Sequence, residues 1–154
     1  MKISYSIATV DDAKAISAVI VSTLLSTSAS QYPKSEIDRM LEINTPDMIV
    51  SQFPEYTFIC AKDQDAIVGV GSVNCDSLKR LFVLKEYQRM GIASTILQQL
   101  ITIHNQEYPS YPITLTGTEM ARHLYEKHGF VVVEEIHDPL RGELYYMRLS
   151  PILS

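Results

Sequence analysis

Cysteine is scarce in this 154-residue chain: Cys60 and Cys75 are the two it has, and they form no Cys-x-x-Cys arrangement. A disulfide scaffold and a dithiol redox motif are thereby excluded. The two read as unpaired thiols in a reducing compartment, so a cytoplasmic location is expected. No apolar run approaches the ~18 residues of a membrane span. The start, Met1-Lys2-Ile3-Ser4-Tyr5-Ser6-Ile7, alternates like a strand and lacks the apolar stretch of a signal peptide. No membrane association is expected. Basic residues are outnumbered, 13 against 18 acidic ones, for a net charge of −5. A nucleic-acid binder would carry a basic face, so none is expected as partner. The acidic balance tilts toward cationic partners such as amines, and it obliges any polyphosphate site to rely on local donors.

Several catalytic signatures are also missing. There is no Gly-x-Ser-x-Gly elbow for a hydrolase, no Gly-Lys-Ser/Thr phosphate loop and no three-glycine dinucleotide fingerprint. His123 and His128 lie five apart on an expected helix, so they do not share a face and fail as a metal pair. No metal is expected. What remains is an ordinary soluble composition, 46% hydrophobic and 20% charged. The length suits one domain over 1–154 that buries about 70% of its unfolded surface.

Strand and helix signals alternate along the chain. Ile3, Tyr5 and Ile7 give a first strand, and Thr9 with Asp12 reads as a capping box. The helix after it sets Ile16, Val19, Ile20, Thr23 and Leu24 on one stripe. A serine- and threonine-rich stretch at 26–30 breaks the pattern. Ser35 is the expected cap of a second helix carrying Ile37, Met40 and Leu41, and Thr45-Pro46 starts a third that ends near Phe53. Strands at 56–61 and 66–73 flank the polar turn 62–65. A strand at 78–83, a helix at 91–105, a strand at 113–116 and a helix around Tyr125 follow, with Gly129 as C-terminal cap. Strands at 130–136 and 143–149 close the chain, joined by a loop at 137–142. The order is α+β around one largely antiparallel sheet.

The most informative segment is Leu81-Phe82-Val83-Leu84-Lys85-Glu86-Tyr87-Gln88-Arg89-Met90-Gly91-Ile92-Ala93. A strand runs into a polar turn, and a helix opens at Gly91. The first N–H groups of a helix lack intrahelical acceptors and carry the positive end of its dipole, which seats a phosphate. Gly91 lets the backbone approach a ligand closely, and Ala93 is nearly as small. About thirty residues on comes Ala121-Arg122-His123-Leu124-Tyr125-Glu126-Lys127-His128-Gly129-Phe130.

Together the two segments resemble the GNAT N-acetyltransferase superfamily. Its acetyl-CoA loop, Gln/Arg-x-x-Gly-x-Gly/Ala, is matched by Gln88, Gly91 and Ala93. Its later helix, Ala-x-x-x-Tyr-x-x-x-Gly-Phe, is matched by Ala121, Tyr125, Gly129 and Phe130. Two positions depart from the pattern: Lys85 replaces a common proline, and Thr118 stands where an asparagine is frequent. The resemblance implies a mixed, largely antiparallel seven-stranded sheet flanked by helices, splayed between its fourth and fifth strands, here 78–83 and 113–116. It implies acetyl-CoA as co-substrate and direct acetyl transfer to a primary amine. The cofactor would lie along Leu81, Phe82 and Val83 and against Gln88, Arg89, Met90, Gly91, Ile92, Ala93 and Ser94.

Such a transfer needs an oxyanion donor, for which the backbone N–H near Val83 is the candidate. It also needs a proton for the leaving thiolate. Tyr125 suits that role, because reference values of about 8.5 for a thiol and 10 for tyrosine make the transfer feasible; its alternative role is packing its helix on the sheet. Ser77, Asp76 and the pair His137–Asp138 are the options for a base, beside ordered water, and turn formation competes for Asp138. The acceptor pocket is expected from 27–35, with Tyr32 and Glu36, and from 137–141. An amine-bearing small molecule is the expected acceptor and a homodimer is open. The rival reading is a non-catalytic acyl-CoA-binding regulatory module.

Overall fold

A computed structural model describes residues 2–153. Seven strands form two sheets. The first has the order β1 (Ile3–Ile7), β2 (Thr57–Asp63), β3 (Ala66–Val73), β4 (Leu78–Val83); the second has the order β5 (Ile113–Gly117), β7 (Gly142–Leu149), β6 (Val131–Asp138). Every ladder within a sheet is antiparallel. The sheets touch through one parallel bridge, Ser77 with Thr114. Beyond it β4 and β5 separate, as expected for the splay.

Alternation along β2 explains the layers. Ile59 and Ala61 face one cluster, with Ile92, Ile96 and Leu100 of α4 (Ile92–Glu107) and with Tyr125 of α5 (Glu119–Lys127). Phe58 and Cys60 face the other, with the stripe of α1 (Ala13–Ser26) and with Ile37 and Ile49 of α2 (Lys34–Glu42) and α3 (Pro46–Gln52). Each fully buried Ile or Leu contributes roughly 1.5–3 kcal/mol. The stretch Val10–Ser30 has the length and a mean hydropathy of 1.3 to span a bilayer, contrary to the expectation of no such run. Its stripe Ile16, Val19, Ile20 and Leu24 is buried in the core instead.

Boundaries differ from expectation where pairing extends strands. Lys62 and Asp63 still pair with Ile67 and Ala66, so the β2–β3 turn is Gln64-Asp65, with Gln64 at a φ of 56°. His137 and Asp138 pair with Glu143 and Gly142, which turns the expected six-residue loop into a tight hairpin. Ser35 does not cap α2: the N-cap position is Pro33, and the helix begins at Lys34. Thr45 does cap α3, accepting from the Met48 N–H at 3.3 Å. Gly129 ends α5 as expected, at a φ of 95°. Its N–H reaches the Glu126 carbonyl at 3.0 Å and that of Phe130 reaches Tyr125 at 3.1 Å, the paired bonds of a Schellman motif.

Glycines in β3 set the distance to α4. A Cβ on Gly71 would lie 2.8 Å from Ile96 Cγ2 and 2.9 Å from Leu100 Cδ1. Gly71→Val should therefore overpack this layer and lower stability by about 1–3 kcal/mol, measured by urea unfolding. An unchanged midpoint would show that α4 can move away freely.

Candidate active site

Where β4 and β5 part, one cavity of about 1060 Å³ opens through the middle of the molecule. One end of that opening is held shut. Thr114 donates from its N–H (2.8 Å) and its hydroxyl (3.0 Å) to the Asp76 carbonyl. Asn74 Oδ1 accepts from the N–H groups of Asp76 and Ser77, at 3.0 and 2.7 Å. His104, 1% exposed, meets the Cys75 carbonyl at 2.7 Å through Nε2. A carbonyl only accepts, so Nε2 carries the proton. His104 thus braces this junction, a role beyond the dipole interaction its place near the α4 C-terminus suggests.

At the other end the cavity meets α4. Gly91 is the N-cap at a φ of 80°, and Arg89 is also left-handed at 64°. Among the described residues, the N–H groups of Arg89 through Ser94 have no acceptor; the first helical bond runs from Thr95 to Gly91. Left-handed residues ahead of a helix start gather such N–H groups into an anion-binding concavity. Arg89 and Lys127 also line the wall. Of the expected cofactor residues, all but Met90 line the cavity; Met90 is 52% exposed. A CoA-like pyrophosphate fits this donor set.

The β4 edge has the expected open ladder. Leu84 N–H donates to Val68 across the sheet at 2.9 Å, so alternation turns the Val83 amide toward the cleft. Gln88 Nε2 donates to the Val83 carbonyl at 3.0 Å and to Thr27 Oγ1 at 3.3 Å. Its side chain therefore closes a backbone group inside the protein. The Ser94 hydroxyl contacts His128 Nε2 at 2.7 Å, which leaves its backbone N–H for a ligand. Burial, and then Lys127, lower the pKa of His128 below the usual histidine value.

Tyr125 lines the cavity and is 8% exposed. It also packs: its ring lies 5.8 Å from that of Phe130, edge on. The packing role weighed from the sequence is thus observed, and the same side chain reaches the cleft. Burial, and next the neighbouring Tyr32, push its pKa above the tyrosine range. Across the opening, Thr118 donates to Gln31 Oε1 at 2.6 Å, so the threonine ties the two walls together.

Of the expected bases, Ser77 reaches the cavity wall, where its hydroxyl is committed to Asn74 Oδ1 at 3.1 Å; Asp76 lies off the wall. His137 is exposed and pairs with Glu143. Asp138 accepts from the Leu140 and Arg141 N–H groups, which hold its carboxyl below the usual range; it is a turn former. Tyr32 and Glu36 do reach the cavity, and Glu36, 6% exposed, is held by Arg39 through two bonds of 2.5 and 3.1 Å. Arg141, at the end of the expected 137–141 segment, does line the wall, whereas sequence reading missed Asn44 and Arg80. The signal for Arg80 is a charged pair, Lys79-Arg80, interrupting an apolar strand.

The fold has known counterparts. A GCN5-related N-acetyltransferase from Rhodopseudomonas palustris superposes with a TM-score of 0.84 at 15% identity, covering 97% of this chain and 96% of its own. PaiA N-acetyltransferase from Thermoplasma acidophilum, solved in complex with coenzyme A, gives 0.78 at 19% identity, over 97% and 99%. A GNAT-family acetyltransferase from Streptococcus pneumoniae gives 0.74 at 18%, over 97% and 99%. A search of curated protein sequences found no match. The acetyltransferase (GNAT) domain profile matches residues 28–138. With that match over most of its length, the chain belongs to the GNAT acetyltransferase family.

Proposed function

We propose that the protein is an acetyl-CoA-dependent N-acetyltransferase that acts on a primary amine of a small molecule. One observation carries this reading: the free N–H groups at the α4 N-terminus, the turned-out Val83 amide and the Tyr125 side chain all border one cleft. Acetyl-CoA would supply an activated thioester carbonyl. The N–H groups of Arg89 to Ser94, with Arg89 and Lys127, would hold its phosphates. The N–H of Val83 would stabilise negative charge developing on the carbonyl oxygen. Tyr125, kept protonated by burial, would donate its hydroxyl proton to the thiolate sulfur as the C–S bond breaks, and its phenolate, strongly basic in that buried site, would take back the proton that the new amide nitrogen loses.

No carboxylate among the described residues on the wall is free to act as base, since Glu36 is tied to Arg39. The reactive fraction of acceptor is therefore the amine already deprotonated in water. That is also what a binding module without turnover would show, and turnover decides between the two.

The phosphate seat is tested by titrating acetyl-CoA calorimetrically into wild type and Gly91→Glu. No atom lies within 4 Å of an added Cβ, so the fold meets only the left-handed strain, about 1–2 kcal/mol. Binding should be lost in the variant; retained binding would remove this loop from the cofactor site.

Tyr125→Phe should lower kcat by about 100- to 10,000-fold while acetyl-CoA still binds. In wild type, kcat/KM should climb with pH toward the acceptor amine's own pKa. Because Tyr125 titrates above its ordinary value of about 10, no decline should set in below that pH. Near-normal kcat in the variant would reject the acid role.

A further inference from the structure

The protein is acidic overall, with a net charge of −5, yet its cavity wall is not. Arg39, Lys79, Arg80, Arg89, Lys127 and Arg141 line it, against the single acid Glu36. Arg89 and Lys127 flank the phosphate seat. Two of the others are neutralised: Arg39 by Glu36, and Arg141 by Asp138 at 3.0 Å. Lys79 is exposed and sits over the Tyr56 ring.

Arg80 differs from all of these. It is part-buried, and among the described residues no carboxylate is within ion-pair distance of it. Its partners are neutral: Nε donates to Asn44 Oδ1 at 2.7 Å and Nη2 to the Ile43 carbonyl at 3.2 Å. Asn44 is itself locked, donating to the Met40 carbonyl at 2.7 Å and accepting from Ser17 at 2.6 Å on its own carbonyl. The guanidinium is therefore fixed in place, with its Nη1 donors unused within the protein. A cation partly withdrawn from water without a counter-ion is costly, and burial opposes its charge.

The backbone at this residue is unusual as well. Arg80 has a φ of 59°, in the left-handed region that a long side chain avoids. It sits in a bulge, where Arg80 and Leu81 together oppose Gly71 between the pairs Lys79–Ser72 and Phe82–Val70. Strain of this kind persists where the surroundings over-determine it, and clusters at ligand sites. The bulge aims Arg80 at Asn44 and the α2–α3 connection, on the Tyr32 and Glu36 side of the cavity rather than the α4 side.

From this placement we infer that the acceptor carries a carboxylate as well as its amine, and that Arg80 is the group that binds it. The proposal rests on the acetyltransferase reading above, and names its substrate class as amino-acid-like. A guanidinium with a free edge suits a carboxylate by charge and planar geometry. Carboxylate binding would supply the missing counter-ion, so the desolvation already suffered by Arg80 favours the anionic ligand. Such an acceptor still carries the amine toward which the net charge tilts, and adds an anionic group to it.

The test compares amino acids with their decarboxylated amines: phenylalanine with phenethylamine, leucine with isoamylamine, lysine with cadaverine. In wild type, kcat/KM should favour the carboxylated member of at least one pair by roughly 10- to 100-fold. In Arg80→Gln that ratio should collapse toward one, and in Arg80→Lys, which keeps charge without the fork, it should be intermediate. Equal or inverted preference in wild type overturns the proposal without any variant. So does a variant whose acetyl-CoA affinity falls while its preference survives, since Arg80 would then serve the cofactor. If wild type binds acetyl-CoA but acetylates neither member of any pair, calorimetric titration of the three amino acids into that complex decides. Binding that Arg80→Gln removes supports the carboxylate site, and its absence overturns it while leaving the cofactor reading intact. Failure of wild type to bind acetyl-CoA would instead sink the acetyltransferase reading.

Discussion

The cleft exists because β4 and β5 are joined at one end and free at the other. The joint is the Asp76 carbonyl, which receives both donors of Thr114. It is stiffened from behind by Asn74 and by the buried His104. Parallel neighbours in a sheet normally zip along their whole length, because an unpaired backbone group facing the interior is costly. Here the strands pair at the joint and part beyond it, so water or a ligand must satisfy the open edge. A weaker joint would let the strands slide; a longer one would close the cleft.

Two polar contacts show how the opening is kept open and in register. Gln88 reaches back to the Val83 carbonyl, closing one exposed backbone acceptor without closing the edge. Thr118 and Gln31 span the mouth from opposite walls, 87 residues apart in sequence. The cleft is therefore framed by side chains that fix its width. The N–H groups that should meet the cofactor stay unpartnered.

Much of this was legible in the chain itself. Strand β4 and the stripe of α1 follow from apolar periodicity, and the two motifs bring the open N–H groups at the start of α4 and the Tyr125 ring to one cleft. Ends were less legible: His137 and Asp138 look like loop by composition, yet cross-strand pairing with Glu143 and Gly142 makes them strand. Ser35 looked like a cap, but Pro33 already supplies the extended φ and ψ that start α2. Arg80 was hidden for a different reason. Its importance lies in what it lacks, a carboxylate partner, and pairing between residues 36 positions apart cannot be read from local pattern.

The Schellman motif at the end of α5 has a consequence for Tyr125. The Tyr125 carbonyl accepts from Phe130, and the two rings pack edge on. The acceptor of the bond that closes the helix and the candidate acid are thus the same residue seen from backbone and side chain. Each residue of an α-helix advances about 100° around the axis. Adding or deleting one position between Thr118 and Tyr125 would swing the phenol a quarter-turn or more off the cleft. The terminating glycine anchors the far end. The reach of this tyrosine is thus metered by helix length, and the segment tolerates substitution far better than any change in its number of residues.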